Sequence, residues 1–197
     1  MKRDFVYLAS ASPRRRTLLE QLGVPFRVRP AAIHERRAAG EAPESCVMRL
    51  ANAKADAVWA SLAAGEPRPV LAADTLVVIG DEVLGKPAGF DDAMAMLARL
   101  SGRTHRVLTA VVLRYRERAL SRLNATEVRF RATTDAERMA YCETGEPMGK
   151  AGSYAIQGRG AVFVEHLSGS YSSVVGLPLA ETATLLEALG VPVWRGD

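Results

Sequence analysis

The chain has 197 residues, 48% of them hydrophobic and 24% charged, with a formal net charge of +4. That is long enough for one domain with a real core, and no apolar run has the length of a membrane span. Aromatic residues make up only 6% and the basic residues are interspersed with acidic ones, which argues against a stable nucleic-acid surface but leaves small anionic substrates compatible.

The start, "MKRDFVYLAS", turns polar too soon for a signal peptide, although "FVYLA" within it reads as a short strand. In "LASASPRRRTLLEQLG", Ser12 is placed to cap a helix and Pro13 suits its first position. Leu18, Leu19 and Leu22 form its apolar stripe, and Gly23 ends it. Arg14, Arg15 and Arg16 then crowd the positive end of the helix dipole, at a cost of a few tenths of a kcal/mol each, roughly, on an exposed surface. A bound anion removes that conflict. "FRVRPAAIHERRAAGEAPES" reads as a strand followed by a loop, and "ESCVMRLANAKADAVWASLAAG" as a helix. "RPVLAADTLVVIGDEVLGKP" reads as two strands around a Gly-Asp turn, and "DDAMAMLARLSG" as an amphipathic helix closed by Gly102.

Two or three strands are expected in "HRVLTAVVLRYRERALSRLNATEVRFRA", then a helix in "TTDAERMAYCETGEP" with Thr134 and Glu137 spaced as a capping box. "GKAGSYAIQGRG" reads as loop, "AVFVEHL" as a strand, and "LPLAETATLLEALG" as a final helix starting near Pro178. This order predicts an α/β or mixed α+β sheet with some antiparallel pairing rather than a plain doubly wound fold. Cys46 and Cys142 lie far apart and match no metal spacing; they read as free thiols in a reducing cytoplasm.

Four places carry candidate chemistry. Strand, Ser10-x-Ser12-Pro13-Arg14-Arg15, helix gathers amide donors, hydroxyls and guanidinium forks as a phosphate site does; the alternative is a solvated basic helix start. Lys54 falls on the apolar stripe of its own helix with Val47, Leu50, Ala51 and Val58, so it either snorkels to an edge or points into a cleft holding anions. Asp74 interrupts the apolar run "PVLAADTLVVI", where a carboxylate must be paired, hydrogen-bonded or on a metal; it reads as a functional group at a strand end. "GDEVLGKP" imitates a phosphate-binding Walker loop but has Pro87 in place of the magnesium-binding hydroxyl. That leaves Lys86 as an isolated phosphate contact. His34, His105 and His166 show no zinc spacing.

In order along almost the whole chain, "LASASPRRRTLLEQLG", "RLANAKA", "AADTLVVIGDEVLGKP", "MLARLSGRTHRVLTAV" and "GEPMGKAGSYAIQGRGAVFVEHLSGSYSSVVGLPL" closely resemble the Maf family of nucleoside triphosphate pyrophosphatases. The resemblance implies a single domain over 1–197, an elongated twisted mixed sheet flanked by helices, with two lobes around a central nucleotide-binding cleft. It also implies a cytoplasmic, often homodimeric house-cleaning enzyme that uses a divalent cation, Mg2+ or Mn2+, to release pyrophosphate. By the same resemblance Ser10, Ser12, Arg14 and Arg15 form the phosphate loop, with Lys54 and Lys86 as further phosphate contacts. The resemblance likewise makes Asp74 the catalytic carboxylate and Glu35 its companion, both of them candidate metal ligands.

Arg14, Thr75 and Gln157 match the branch acting on dTTP and UTP. The Gln157 amide offers the donor and acceptor that meet the O4/N3–H edge of uracil or thymine. The alternatives are a 7-methyl-GTP pyrophosphatase of the same family and a non-catalytic nucleotide-binding regulator of cell division or septum formation. One departure stands out: "IHERR" has His34 where the family commonly has aspartate, which would weaken magnesium or favour manganese.

Overall fold

The structure is a computed structural model and describes residues 5–62 and 67–194. Its mixed sheet has seven strands, ordered β2-β1-β3-β5-β6-β7, with β4 on β3. β1 (Val6–Leu8) is buried at all three positions and runs parallel to β2 (Phe26–Val28) and to β3 (Val70–Ile79). An unbroken apolar triplet is what a strand covered on both faces requires. β3 turns through Gly80 and Asp81 into β4 (Glu82–Leu84), pairing antiparallel with Ile79 opposite Glu82 and Gly80 at φ 58°. The long apolar-alternating region resolves as two strands, β5 (Thr104–Tyr115) and β6 (Arg118–Phe130). β6 pairs antiparallel with β7 (Val164–Ser168), with a bulge between Arg129 and Phe130.

Among the described residues the α-helices are α1 (Pro13–Gln21), α2 (Pro43–Ala60), α3 (Phe90–Leu100), α4 (Asp135–Glu143), α5 (Tyr171–Val175) and α6 (Leu179–Ala188). α4 carries the full capping box between Thr134 and Glu137, as the spacing predicts. At α1 the expectation fails in one respect. Ser12 occupies the cap position, but its side chain accepts no hydrogen bond there; instead its own amide donates to Ser10 Oγ at 3.2 Å. The five-residue α5 is too short to announce itself by periodicity; the glycine-rich stretch expected as loop contains the 3₁₀ turn Ala151–Ser153, and a second turn, Arg159–Phe163, takes the first three residues of the expected strand "AVFVEHL", so that β7 begins only at Val164. The tail of the "ESCVMRLANAKADAVWASLAAG" stretch, residues 63–65, lies outside the described residues.

The chain divides into two compact units. The first comprises Met1–Asp74, Thr109–Asn124 and Gly176–Asp197; the second comprises Thr75–Leu108 and Ala125–Val175. The first unit buries Leu8, Leu19, Leu71, Leu113, Leu185 and Leu186 almost completely, each contributing about 1.5–3 kcal/mol of hydrophobic stabilisation. The second is organised around the buried ring of Phe130. Tyr154 meets it edge-on with centroids 4.8 Å apart, His105 at 5.1 Å, and Phe163 tilts against it at 5.8 Å.

His105 shares a hydrogen bond with the Tyr154 hydroxyl at 2.9 Å, and burial pulls its imidazole pKa down to about 4. Folded chains therefore keep His105 neutral where unfolded chains, titrating near 6.5, already bind a proton. Stability should fall as pH drops from about 6.5 to about 4, by on the order of 3 kcal/mol from this group. Urea unfolding across that window is expected to show a shallower pH slope for His105→Gln than for the wild type.

Candidate active site

The helical spacing of α2 brings Lys54 round to the stripe of Cys46, Val47, Leu50, Ala51, Ala55 and Val58, all of them buried. Lys54 itself is only 7% exposed, so it does not snorkel to solvent. Its ammonium instead lies 2.6 Å from Oδ1 of Asp74 and 2.5 Å from Oε1 of Glu35. Asp74 is the fifth residue of the ten in β3, not at a strand end as expected from sequence, and it is as buried as Lys54. The fully apolar residues before it account for that burial, and Lys54 accounts for its tolerance there: two ions taken from water are kept only when each satisfies the other. Glu35 comes from an exposed loop and keeps contact with solvent.

The α1 start stands in the same unit. Arg15 turns back rather than outward: its Nε donates to the Gly176 carbonyl at 2.7 Å and its Nη1 to Ser10 Oγ at 3.3 Å. Burial lowers the Arg15 pKa from its ordinary value; the Asp74 and Glu35 charges oppose that shift and Arg14 adds to it. Arg15 remains a cation at neutral pH. Ser10, Ser12, Arg15, Lys54, Asp74 and Glu35 are thus joined by contacts or fields within the first unit, with Arg14 beside them. No acidic residue occupies the first turn of α1, so no carboxylate within that turn offsets its dipole.

The second unit carries Thr75, Lys86 and Gln157. β3 runs unbroken through Asp74 and Thr75, so the pleat turns these two side chains to opposite faces. Lys86 is exposed just after β4, where the Gly152 amide donates to the Gly85 carbonyl at 3.1 Å. Gly152 has φ 69° and a side chain there would meet Val77 at 2.9 Å, so this joint requires glycine. Gln157 is exposed in a turn closed by the Gly158 amide donating to the Ala155 carbonyl at 3.1 Å.

Comparison with known proteins agrees with this arrangement of segments. The family model described as Maf-like protein matches residues 5–189. The chain belongs to the Maf-like family. Among its relatives is a dTTP/UTP pyrophosphatase of Saccharophagus degradans, 54% identical over 96% of this chain and 91% of that protein. Another of that name, from Xanthomonas axonopodis pv. citri, is 54% identical over 94% of this chain and 98% of its own length. A third, from Pseudoalteromonas atlantica, is 53% identical over 93% and 96%.

Two partners in this Maf-like chain escape sequence reasoning. The Gly176 carbonyl that holds Arg15 is 161 residues away, and a main-chain acceptor leaves no mark in side-chain identity. Glu146, which binds the backbone around Gln157, sits in an ordinary helix-to-loop exit whose signal is the pair of glycines, Gly158 and Gly160, packed against it and Tyr141. Among the described residues no group of three or more His, Cys, Asp or Glu side chains converges.

Replacing Lys54 by methionine leaves the buried Asp74 carboxylate without its cation and should cost on the order of 3 kcal/mol in urea unfolding at pH 7. The double variant Lys54→Met/Asp74→Asn should recover part of that loss. Simple addition of the two single effects would mean that the pair is not coupled.

Proposed function

We propose that this chain hydrolyses dTTP and UTP to the nucleoside monophosphate and pyrophosphate, the activity for which its relatives are named. The observation that carries the reading is the buried Lys54 held between Asp74 and Glu35, in the unit that also holds the arginine-rich start of α1. A triphosphate supplies the negative charge that this helix start lacks. In this reading Ser10, Ser12, Arg14 and Arg15 bind phosphate oxygens, and Lys54 and Lys86 offset charge as the leaving group departs. A water oxygen attacks the α-phosphorus, the bond from that phosphorus to the bridging oxygen breaks, and pyrophosphate leaves with the electron pair. Asp74, whose Oδ1 is engaged by Lys54, orients that water and takes its proton.

Two hard carboxylates, Asp74 and Glu35, both bonded to Lys54, are the donors this reading offers a divalent cation. Glu35 and Asp74 direct hard carboxylate oxygens at one cationic nitrogen, and magnesium is commonly held by one or two carboxylates with substrate phosphates and water completing its shell. When bound, Mg2+ or Mn2+ would neutralise phosphate oxygens there, with Asp74 and Glu35 as its protein ligands. His34, exposed and adjacent to Glu35 in sequence, would weaken magnesium or favour manganese if its ring nitrogen took the place of the family's aspartate at that cation. Arg14 and Gln157 set the pyrimidine preference in this reading, with the Gln157 amide meeting the base edge, while Thr75, turned to the face of β3 opposite Asp74, acts on it only through the strand. The free, buried thiols Cys46 and Cys142 suit a reducing compartment such as the cytoplasm, where removal of modified pyrimidine triphosphates before polymerases use them would be the service rendered.

Pyrophosphate release from dTTP, UTP, CTP, GTP and 7-methyl-GTP, measured with each metal, tests the reading. Release from dTTP and UTP is expected, with Asp74→Asn lowering kcat by roughly 10²–10⁴-fold. Turnover centred on 7-methyl-GTP would overturn the substrate assignment. Binding without any turnover would place the chain among nucleotide-binding regulators.

A further inference from the structure

Within the second unit, the exit of α4 builds a polar device that neither phosphate binding nor the Asp74 chemistry uses. The Tyr141 hydroxyl, on the last turn of α4, donates to Glu146 Oε1 at 2.8 Å. The same oxygen accepts from the Gly160 amide at 3.0 Å, and Oε2 accepts from the Arg159 amide at 3.1 Å. The Ala155 amide donates to the Tyr141 hydroxyl at 3.1 Å. Lys150 Nζ donates to the Glu146 main-chain carbonyl, which fixes the near end of the loop. These bonds fall on either side of one turn, Ala155 to Gly158, and Gln157 is its third residue.

The packing around the device leaves no slack. A side chain at Gly158 would come within 2.4 Å of Glu146 Oε2, and one at Gly160 within 2.8 Å of the Tyr141 hydroxyl. Burial pushes the Glu146 pKa up, but the Gly160 amide, the Tyr141 hydroxyl, the Arg159 amide and the Lys150 charge pull it down further, and the net shift is downward. The carboxylate is therefore ionised at neutral pH and accepts with both oxygens at once, which a neutral amide in its place cannot do.

We infer that Tyr141 and Glu146 are positioning residues for substrate selection: by clamping the backbone before and after Gln157, they hold its amide in the one orientation that reads a uracil or thymine edge. This rests on the pyrimidine reading proposed above. A base contact on a free surface turn loses its selectivity to side-chain and backbone entropy, whereas a clamped turn has that cost already met by the fold. The device has the dimensions for it: two amides held just beyond the turn, one at its first residue, and Gln157 left exposed between them.

The test compares kcat and KM for UTP, dTTP and CTP in the wild type, Glu146→Gln, Gln157→Ala and the double variant. Glu146→Gln is expected to raise KM for UTP and dTTP about tenfold and to shrink their advantage over CTP, with kcat changed less than about threefold. The double variant should be no more impaired than Gln157→Ala, since both act on one contact. A merely structural clamp would lower the unfolding temperature and depress all three nucleotides equally, and that outcome overturns the inference. So does a Gln157→Ala variant with intact preference. Should Glu146→Gln fail to fold, Tyr141→Phe removes the bonds to Glu146 and Ala155 while keeping the carboxylate, and the same ratio is read. A wild type that shows no preference for dTTP and UTP overturns the proposed function and this inference together. A wild type with the preference and a Glu146→Gln variant that keeps it overturn this inference alone.

Discussion

The ammonium of Lys54 is the charge on which the first unit's arrangement depends. β3 is apolar from Val70 to Ala73 and buried there, so a carboxylate at Asp74 is admissible only with a cation delivered to it. α2 delivers one from its own hydrophobic stripe, and Glu35, from an exposed loop, bonds the same nitrogen. An apolar pair of similar volume would be cheaper to bury. The ions kept here form a connected set: Lys54 bonds both carboxylates, and the charges of Asp74, Glu35 and Arg14 all reach Arg15.

The second unit solves a different problem with different materials. Its centre is a cluster of rings in which Phe130, Tyr154 and His105 meet edge to face, and Tyr141 meets Phe163 the same way at 5.1 Å. Tyr141 and Tyr154 each put one end in that cluster and spend the hydroxyl on a polar partner, Glu146 or His105. An aromatic with a polar tip is suited to the border between a packed core and a loop that must hold its shape.

The parts visible in the sequence were those written in local spacing. The stripe that places Lys54 on the buried face of α2, the capping box of α4 and the Gly80-Asp81 turn each need only a few residues, and each stands in the structure as read. Ser12 shows the limit of such reading, because cap geometry depends on what else competes, and Ser10 takes its amide. Asp74 was legible as costly but not as mid-strand, since an apolar run does not mark its own midpoint. The partnership of Lys54 with Asp74 crosses 20 residues, and that of Arg15 with Gly176 crosses 161; neither separation is encoded in any periodicity.

α1 is gripped at both ends by the far part of the chain. At its start Arg15 is tied to the Gly176 carbonyl, and just past its end the Trp194 amide and indole donate to the carbonyls of Leu22 and Gln21, at 3.0 and 2.8 Å. Those fastenings span 161 and 173 residues of sequence. Closing spans of that length costs chain entropy that a local turn does not. The place of α1 is therefore set by the assembly of the whole first unit, and a loosening of the segment near Gly176 or of Trp194 would be felt at the arginine-rich helix start.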